Sequence, residues 1–486
     1  MSKFIATPLP ASGPGFPTRP VRFFLNCFRK IATKRASSAD RHIMGFRRKS
    51  EHRRAGSSIG LRGGSAFFRR VRGERGQALV LAALCVAILV GMLGFATDVG
   101  LLFIAKRNLQ IAADSAARAG AAELNYGDYA SAAQTASALN GFTNGVNGVT
   151  VTVNPSGTSI PSPLYGPYKG QAGYLEVAIT QIKPTYFMKV FHWNSMPVSA
   201  RAVGTLGNNP NCIYLLATSG TDLTMSNGAS ISAPACGLLA DSSSTSALSV
   251  TDGTSVAVSK VGIVGSEATQ NGTVTPTPVT GIAPFSDPLA YLTPPPYTGG
   301  SSCTADPGGS YQGGSTYSVG PGSAHSTTQS GNTVCYTSLT LGGNGNKVTL
   351  NPGIYVVTGY LTFSSGTILG GAGVMFYLPG TASLTIANGA IFNMTAPTSG
   401  TYNGILFYQD RADTQAASIQ GGGTSSLKGI FYFPAAALTL GNGSATTFYT
   451  PIVASTLTMY GGSAFTDDDY STVNLSSPLT SPRLVD

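Results

Sequence analysis

Residues 223–239 read LTMSNGASISAPACGLL, and residues 248–264 read LSVTDGTSVAVSKVGIV. Laid on each other at an offset of 25, they match Leu223 with Leu248, Met225 with Val250, Gly228 with Gly253, Ile231 with Val256, Gly237 with Gly262 and Leu239 with Val264. A unit of this length cannot bury its own apolar face. Repeats of about 20 to 30 residues gain a core only by stacking on one another. Gly and Asn fall between the apolar runs, where each corner needs a residue that tolerates positive φ.

The same texture returns downstream. Leu361-Thr362-Phe363, Leu384-Thr385-Ile386, Leu438-Thr439-Leu440 and Leu457-Thr458-Met459 each precede a Gly. Between them lie the apolar runs 353–357, 373–377, 404–408 and 429–433, each opened by Gly. The pattern predicts a first β-repeat section over 209–265 and a second over 334–486, both parts of a right-handed parallel β-helix-like solenoid. A β-sandwich, whose strands come every 8 to 12 residues, is the alternative. Residues 266–333 interrupt the repeats with Thr275-Pro276-Thr277-Pro278, Pro294-Pro295-Pro296 and many Gly and Ser, and read as a linker or a long excursion.

Cys212, Cys236, Cys303 and Cys335 fall in this β region, whereas Cys27 and Cys85 precede it. Their spacings are too wide for a zinc knuckle, and His42, His52, His192 and His325 cluster with nothing. Four cysteines allow three connectivities; pairing neighbours gives Cys212–Cys236 and Cys303–Cys335.

Upstream, residues 126–208 read as a small α/β module. Tyr129 to Leu139 is an Ala-rich helix stopped by Asn140-Gly141, strands follow at 149–153, 174–179 and 197–203, and Pro184 to His192 is a short apolar helix. Phe187, Val190, Phe191 and Trp193 are expected to fill the module's core.

Residues 77–125 precede it. From Ala78 to Thr97 run 20 residues without a charge, enough at about 1.5 Å per residue to span the ~30 Å hydrocarbon core of a bilayer. Arg69, Arg70, Arg72 and Arg75 precede the run and only Lys106 and Arg107 follow it, which predicts a cytoplasmic N-terminus and an exported remainder. A signal peptide has an apolar run of about 7 to 15 residues and then a cleavage site; here the run is longer and helix continues, so an uncleaved anchor is expected. Past it, Ala112, Ala116 and Gly120 recur every fourth residue, a small-residue stripe on which another helix can pack closely. Asp114 and Arg118 are spaced to pair on a neighbouring face.

Arg75-Gly76-Gln77, the single span, Asp98-Val99-Gly100, Lys106-Arg107-Asn108-Leu109-Gln110 and Ala112-Ala113-Asp114-Ser115-Ala116-Ala117 with Ala119-Gly120-Ala121 together resemble the TadE/TadG-like N-terminal segment of Flp pilus-assembly proteins. The resemblance implies a component of the tight-adherence machinery, anchored in the inner membrane with its C-terminal region periplasmic or extracellular. It implies no catalytic residue and no cofactor. Pilins of these systems are cut after a Gly five residues before a Glu; the fifth residue after Gly76 is Leu81, so prepilin-peptidase cleavage is not expected.

The net charge of +10 resides in one place. Residues 1–76 hold 18 Lys or Arg against Asp40, Glu51 and Glu74, and the other residues net −5. Such a tail, with no folded reader module and directly before a span, predicts disorder and attraction to anionic lipid rather than to nucleic acid. Met44 opens MGFRRKSEHRR and reads as a start, which would make residues 1–43 an untranslated extension.

Three features invite a chemical reading. Asp241-Ser242-Ser243-Ser244-Thr245 fits a loose metal-site pattern, but lies in a run of hydroxyl residues where such matches are cheap. Asp467, Asp468 and Asp469 gather oxygen ligands suited to Ca²⁺, or cap the last repeat. Asp410 and Asp413 are spaced as a carboxylate pair such as polysaccharide-cleaving β-helices use, or belong to an isolated polar loop, which is the expected reading. The expected protein is non-enzymatic, carries no cofactor or resident metal, and acts in pilus assembly, adhesion or surface attachment; its partners are the cytoplasmic membrane, other pilus-assembly or envelope proteins, and surface polysaccharide. The alternatives are a displayed β-helix that binds or cleaves polysaccharide, and an envelope protein unrelated to pili.

Overall fold

A computed structural model describes residues 75–154, 162–251, 253–299, 303–305, 314–343, 345–364, 366–387, 389–421, 426–443, 445–447, 450–467 and 478–486. The readings made for residues 1–74, including Cys27, Met44, His42 and His52, lie outside them, as do Asp468 and Asp469. The chain divides into two units, one comprising the residues up to Phe103 with Pro184–Met196, the other Ile104–Lys183 with Pro197–Asp486.

In the first unit the dominant element is helix α1, Arg75–Ala122, a single helix of 48 residues. Ala, Leu and Val dominate it and no proline breaks it. From Leu79 to Leu93 its large apolar side chains are exposed on every face, so this part of the helix is apolar all round rather than amphipathic. It is the one helix among the described residues long and apolar enough to cross a membrane. The unit's other part, Pro184–Met196, contains a 3₁₀ turn, Met188–Phe191, ended by His192 at φ 66°. A single turn stands where the sequence predicts a short apolar helix. Nor does this segment fill a core: Phe187, Val190, Phe191 and Trp193 are all exposed.

In the second unit, the C-terminal part of α1 and helix α2, Tyr129–Leu139, join a four-stranded sheet. Period-two alternation works here as expected. Val149, Val151 and Val153 are buried while Thr150 and Thr152 face water, and the strand pairs antiparallel with Tyr174–Pro184, Val151 opposite Ile179. These side chains share a core with Ala112, Ala113, Ala116 and Ala133. The fourth strand comes from the far end of the chain, where Thr480–Leu484 pairs antiparallel with Ser195–Asn208.

The remainder is mainly β and mainly parallel, with one sheet of 21 strands and another of five. Sandwich strands pair antiparallel as a rule; here almost every pairing is parallel. The repeat seen in the sequence is realised directly, with Leu223 beside Leu248, Met225 beside Val250 and Ile231 beside Val256. Gly228 and Gly253 both take positive φ, 73° and 70°, at equivalent corners. The offset does not hold to the end. Gly237 pairs with Lys260 and Leu239 with Gly262, so the final matches expected with Gly262 and Val264 are corrected by two residues. The reason lies in the corner after Ala233, which holds Pro234, Ala235 and Cys236 in the first repeat and only Ser259 in the second.

The stacking order is not the chain order. Strand Ile452–Met459, in the last repeat, pairs with Asn211–Leu215 and Leu223–Met225 in the first, and Ala464–Thr466 pairs with Ser230–Ala240. The two β sections therefore form one continuous stack, entered by the chain part-way along. From Asn211 the strands proceed outward to Val279–Thr280, and the stretch 266–280 belongs to the stack rather than to a linker.

The excursion that follows runs back along the stack. Its track is a column of outward-facing residues in continuous register: Tyr214, Val453, Tyr432, Tyr408, Tyr377, Val356 and Cys335. Phe285 packs on Tyr214, Asp287 accepts from the Tyr432 hydroxyl at 2.6 Å, Leu292 O accepts from Tyr408, Tyr297 packs on Tyr377, and Cys303 is bonded to Cys335. Leu289 is wholly buried under this cover. On the inward side Tyr355, Phe376, Phe407 and Phe431 stack at centroid distances of 5.1, 5.5 and 5.1 Å, pairs worth about 0.5–1.5 kcal/mol each beyond their burial.

Candidate functional site

At the end of its uncharged run α1 carries Asp98, which is 2% exposed although apolar side chains around it are open. Its carboxylate accepts three successive backbone N–H groups, from Tyr186 at 3.0 Å, Phe187 at 2.8 Å and Met188 at 2.7 Å. A carboxylate held in this way is satisfied without a cation. One turn earlier, a Cβ on Gly94 would lie 2.5 Å from the Phe187 ring, so Gly is what allows that ring to lie on the helix.

Past Phe103 the small-residue stripe has a definite occupant. Ala112 and Ala116 are fully buried in the module core, and a Cβ on Gly120 would meet Leu175 at 2.3 Å and Tyr129 O at 2.9 Å. Across the sheet, a Cβ on Gly204 would stand 2.4 Å from Ala117 O. The stripe thus packs on the chain's own helix α2 and sheet. Asp114, expected to pair with Arg118, accepts instead from Gln110 Nε2 at 2.8 Å, and the same amide reaches Arg201 O at 2.9 Å.

Beside this, Glu176 is buried and accepts from Leu164 N at 2.7 Å. Arg201 pairs with it and with Asp486, and donates to Tyr165 O at 2.6 Å. An open recess of about 440 Å³ is lined here by Lys106, Thr152, Asn154, Tyr165, Glu176 and Arg201 among others. Both of its cations are already engaged, Lys106 with Ser199 O and Arg201 with two carboxylates.

The other candidates are dispersed. Cys212 is bonded to Cys236, with Cα atoms 5.5 Å apart. Asp467 is buried within 4.8 Å of their sulfurs, but sulfurs joined to each other do not ligate a metal. Asp410 accepts from Ala412 N at 2.9 Å and from the Tyr377 hydroxyl at 3.0 Å, while Asp413 accepts from Gln415 N at 2.9 Å. Both carboxylates serve a local turn. Arg411, between them, holds the excursion: it donates to Leu289 O at 2.6 Å and Leu292 O at 2.9 Å, pairs with Asp287 at 3.2 Å, and lies over the rings of Tyr408 and Tyr432. Burial pushes the Tyr408 hydroxyl up to about 12 and raises Tyr432 as well.

Asp241 of the Ser-rich run accepts from Phe285 N at 2.9 Å, which ties down the start of the excursion. Ser242 N donates at 2.9 Å to Asp222, a fully buried residue that no sequence motif singled out. Burial, and after it the neighbouring Asp241 charge, push Asp222 up to about 7, against the lowering effect of the Ser242 N–H.

One surface is regular over eight successive strands of the stack. Thr340, Thr362, Thr385, Ser418, Thr439, Thr458, Thr224 and Ser249 follow one another in register, and none is buried. They present a line of hydroxyls at the ~4.8 Å spacing of paired strands.

Residues 76–123 match the model of the family described as "Putative Flp pilus-assembly TadE/G-like". The matched stretch is α1 almost end to end, from the apolar run through Asp98 to the stripe that carries the module. No curated protein and no solved structure matches the chain.

Proposed function

We propose that this chain is a non-catalytic, membrane-anchored and exported component of Flp pilus assembly, with a role in adhesion or surface attachment. The observation that carries the reading is the family match on α1, the helix that is also long and apolar enough to cross a membrane. The cluster of Arg69, Arg70, Arg72 and Arg75 ahead of it favours an N-terminus inside the cell and a remainder outside the cytoplasmic membrane. Four of the six cysteines then fall in an oxidising compartment, in keeping with two bonded pairs.

The exported part is read as a parallel β-helix-like solenoid, because strands return to the same column every 20 to 30 residues or so. A long regular hydroxyl face suits contact with a hydrated, polyhydroxylated surface, while the carboxylates a glycosidase would need are committed to turns. Protease treatment of spheroplasts, with one epitope before residue 76 and another after residue 470, tests the topology. Loss of the C-terminal epitope alone is expected. Survival of both would place the β region in the cytoplasm and remove the reading.

A further inference from the structure

The segment Pro184–Met196 is built in the reverse sense of a water-exposed loop. Much of its backbone is paired: Thr185 N donates to Asn194 O at 3.1 Å, Val190 N to Phe187 O at 3.1 Å, His192 N to Lys189 O at 2.9 Å and Trp193 N to Met188 O at 3.2 Å, while the N–H groups of Tyr186, Phe187 and Met188 go to Asp98. Its large apolar side chains are open: Tyr186 is 63% exposed, Val190 77%, Phe191 69% and Trp193 56%. Paired backbone with bare aromatic side chains is what a lipid boundary requires and water penalises.

Its level is set by the helix. Asp98 fixes the segment at the first charge after the 20 uncharged residues, and Phe187 lies against Gly94, about one turn, roughly 5 Å, further into the apolar run. That depth matches the headgroup–acyl boundary where interfacial aromatic residues reside. Lys189 is exposed between the aromatics, placed to meet anionic headgroups.

The geometry points to a second membrane contact: the 186–193 segment is an interfacial aromatic anchor, held by Asp98 against the spanning helix and inserted into the boundary of the leaflet where that helix emerges. It fixes the depth of α1. The inference rests on α1 crossing the membrane, as proposed above.

Trp193 is the only tryptophan in the chain, so it reports on this segment alone. The full-length protein is reconstituted into phosphatidylethanolamine–phosphatidylglycerol vesicles carrying bromine at shallow or deep acyl positions, and flotation and Trp193 emission are read together. The expected result is flotation, a blue-shifted emission, quenching stronger from shallow than from deep bromine, and poor quenching by aqueous iodide. Asp98→Asn, which weakens the hold on three N–H groups, should still float but lose shallow-bromine quenching; a Phe187→Ser, Phe191→Ser double variant should do the same.

Failure to float would remove the membrane reading itself. Flotation with iodide quenching and no bromine quenching would overturn the anchor alone. Shielding from both quenchers would mean that protein covers the segment, and deep quenching would mean insertion rather than interfacial lodging; each overturns the inference. An Asp98→Asn variant that keeps the wild-type quenching pattern would overturn the role given to Asp98.

Discussion

Leu457, in the last repeat, lies in register on Leu223, in the first. Both are within 1% of full burial, and the seam they form joins the two β sections into one stack. Leu457→Ala or Leu223→Ala should each cost about 2–5 kcal/mol, the range for a buried Leu truncated in a packed core. Because the two share one cavity, the double variant should cost less than the sum. Urea unfolding followed by circular dichroism measures this. Strict additivity would mean that the seam does not couple them.

Arg411 makes a separate prediction about the excursion. Removing it takes one donor from each of the carbonyls of Leu289 and Leu292, which keep Leu292 N and the Tyr408 hydroxyl, and leaves Asp287 without its cation, at a cost of roughly 1–3 kcal/mol. Arg411→Ala should open the stretch between Phe285 and Cys303 to limited proteolysis before the stack itself unfolds. Arg411→Lys should rescue little, since an ammonium cannot serve three acceptors in one plane while lying on two rings. Equal protease resistance in all three proteins would show that Cys303–Cys335 and the apolar cover hold the excursion without it.

Much of this fold is legible in the residues. The Leu-Thr-x runs mark strands of one column, and the 149–153 alternation marks a half-buried strand. The order of stacking is not legible in the same way, because every Leu-Thr-x edge offers the same backbone and nearly the same side chains to every other. One clue is present: Leu223-Thr224-Met225 and Leu457-Thr458-Met459 are identical, and they are neighbours in space. The exposure of the aromatic segment is illegible for another reason. A cluster of apolar residues reads as core, and apolar character alone does not tell which side chains the fold leaves open, as it does Phe187, Phe191 and Trp193. The Asp98 clamp and the return of Thr480–Leu484 depend on contacts far apart in sequence, which no local pattern encodes.

The close approach of α1 to its sheet gives a steric test. At Gly204 an added Cβ meets backbone, Ala117 O at 2.4 Å, and backbone cannot rotate away. Gly204→Ala should therefore destabilise the module by roughly 1–3 kcal/mol. At Gly120 the nearest atom is the end of the buried Leu175 side chain at 2.3 Å and the backbone atom, Tyr129 O, is further off at 2.9 Å, while Ala regains up to about 1 kcal/mol of helix propensity. Gly120→Ala should be the milder change. Thermal unfolding in detergent ranks the two, and the reverse ranking would mean that the helix, not the strand, is the element unable to move.

Asp222 makes the stack sensitive to pH. The residue lies at the seam, where its carbonyl accepts Leu457 N at 2.7 Å, and one of its carboxylate oxygens, Oδ1, is buried without a hydrogen-bond partner. Burial raises this acid from its ordinary 3.8 to about 7, so the folded protein keeps a proton that the unfolded chain releases. The sign follows from that difference. Below about pH 4 both states are protonated and no penalty exists. Between about 4 and 7 the unfolded state alone loses its proton, and stability falls by up to about 1.4 kcal/mol per pH unit. Above about 7 both are ionised and the penalty is constant. Asp222→Asn should flatten this window and make the protein more stable at pH 8 than wild type. Asp241→Asn should shrink the window by removing the adjacent charge that helps hold Asp222 up. Urea midpoints at pH 5 and pH 8 decide the matter. A wild-type midpoint that rises over this range, with a slope that Asp222→Asn abolishes, would mean that the folded state favours the Asp222 carboxylate rather than the acid.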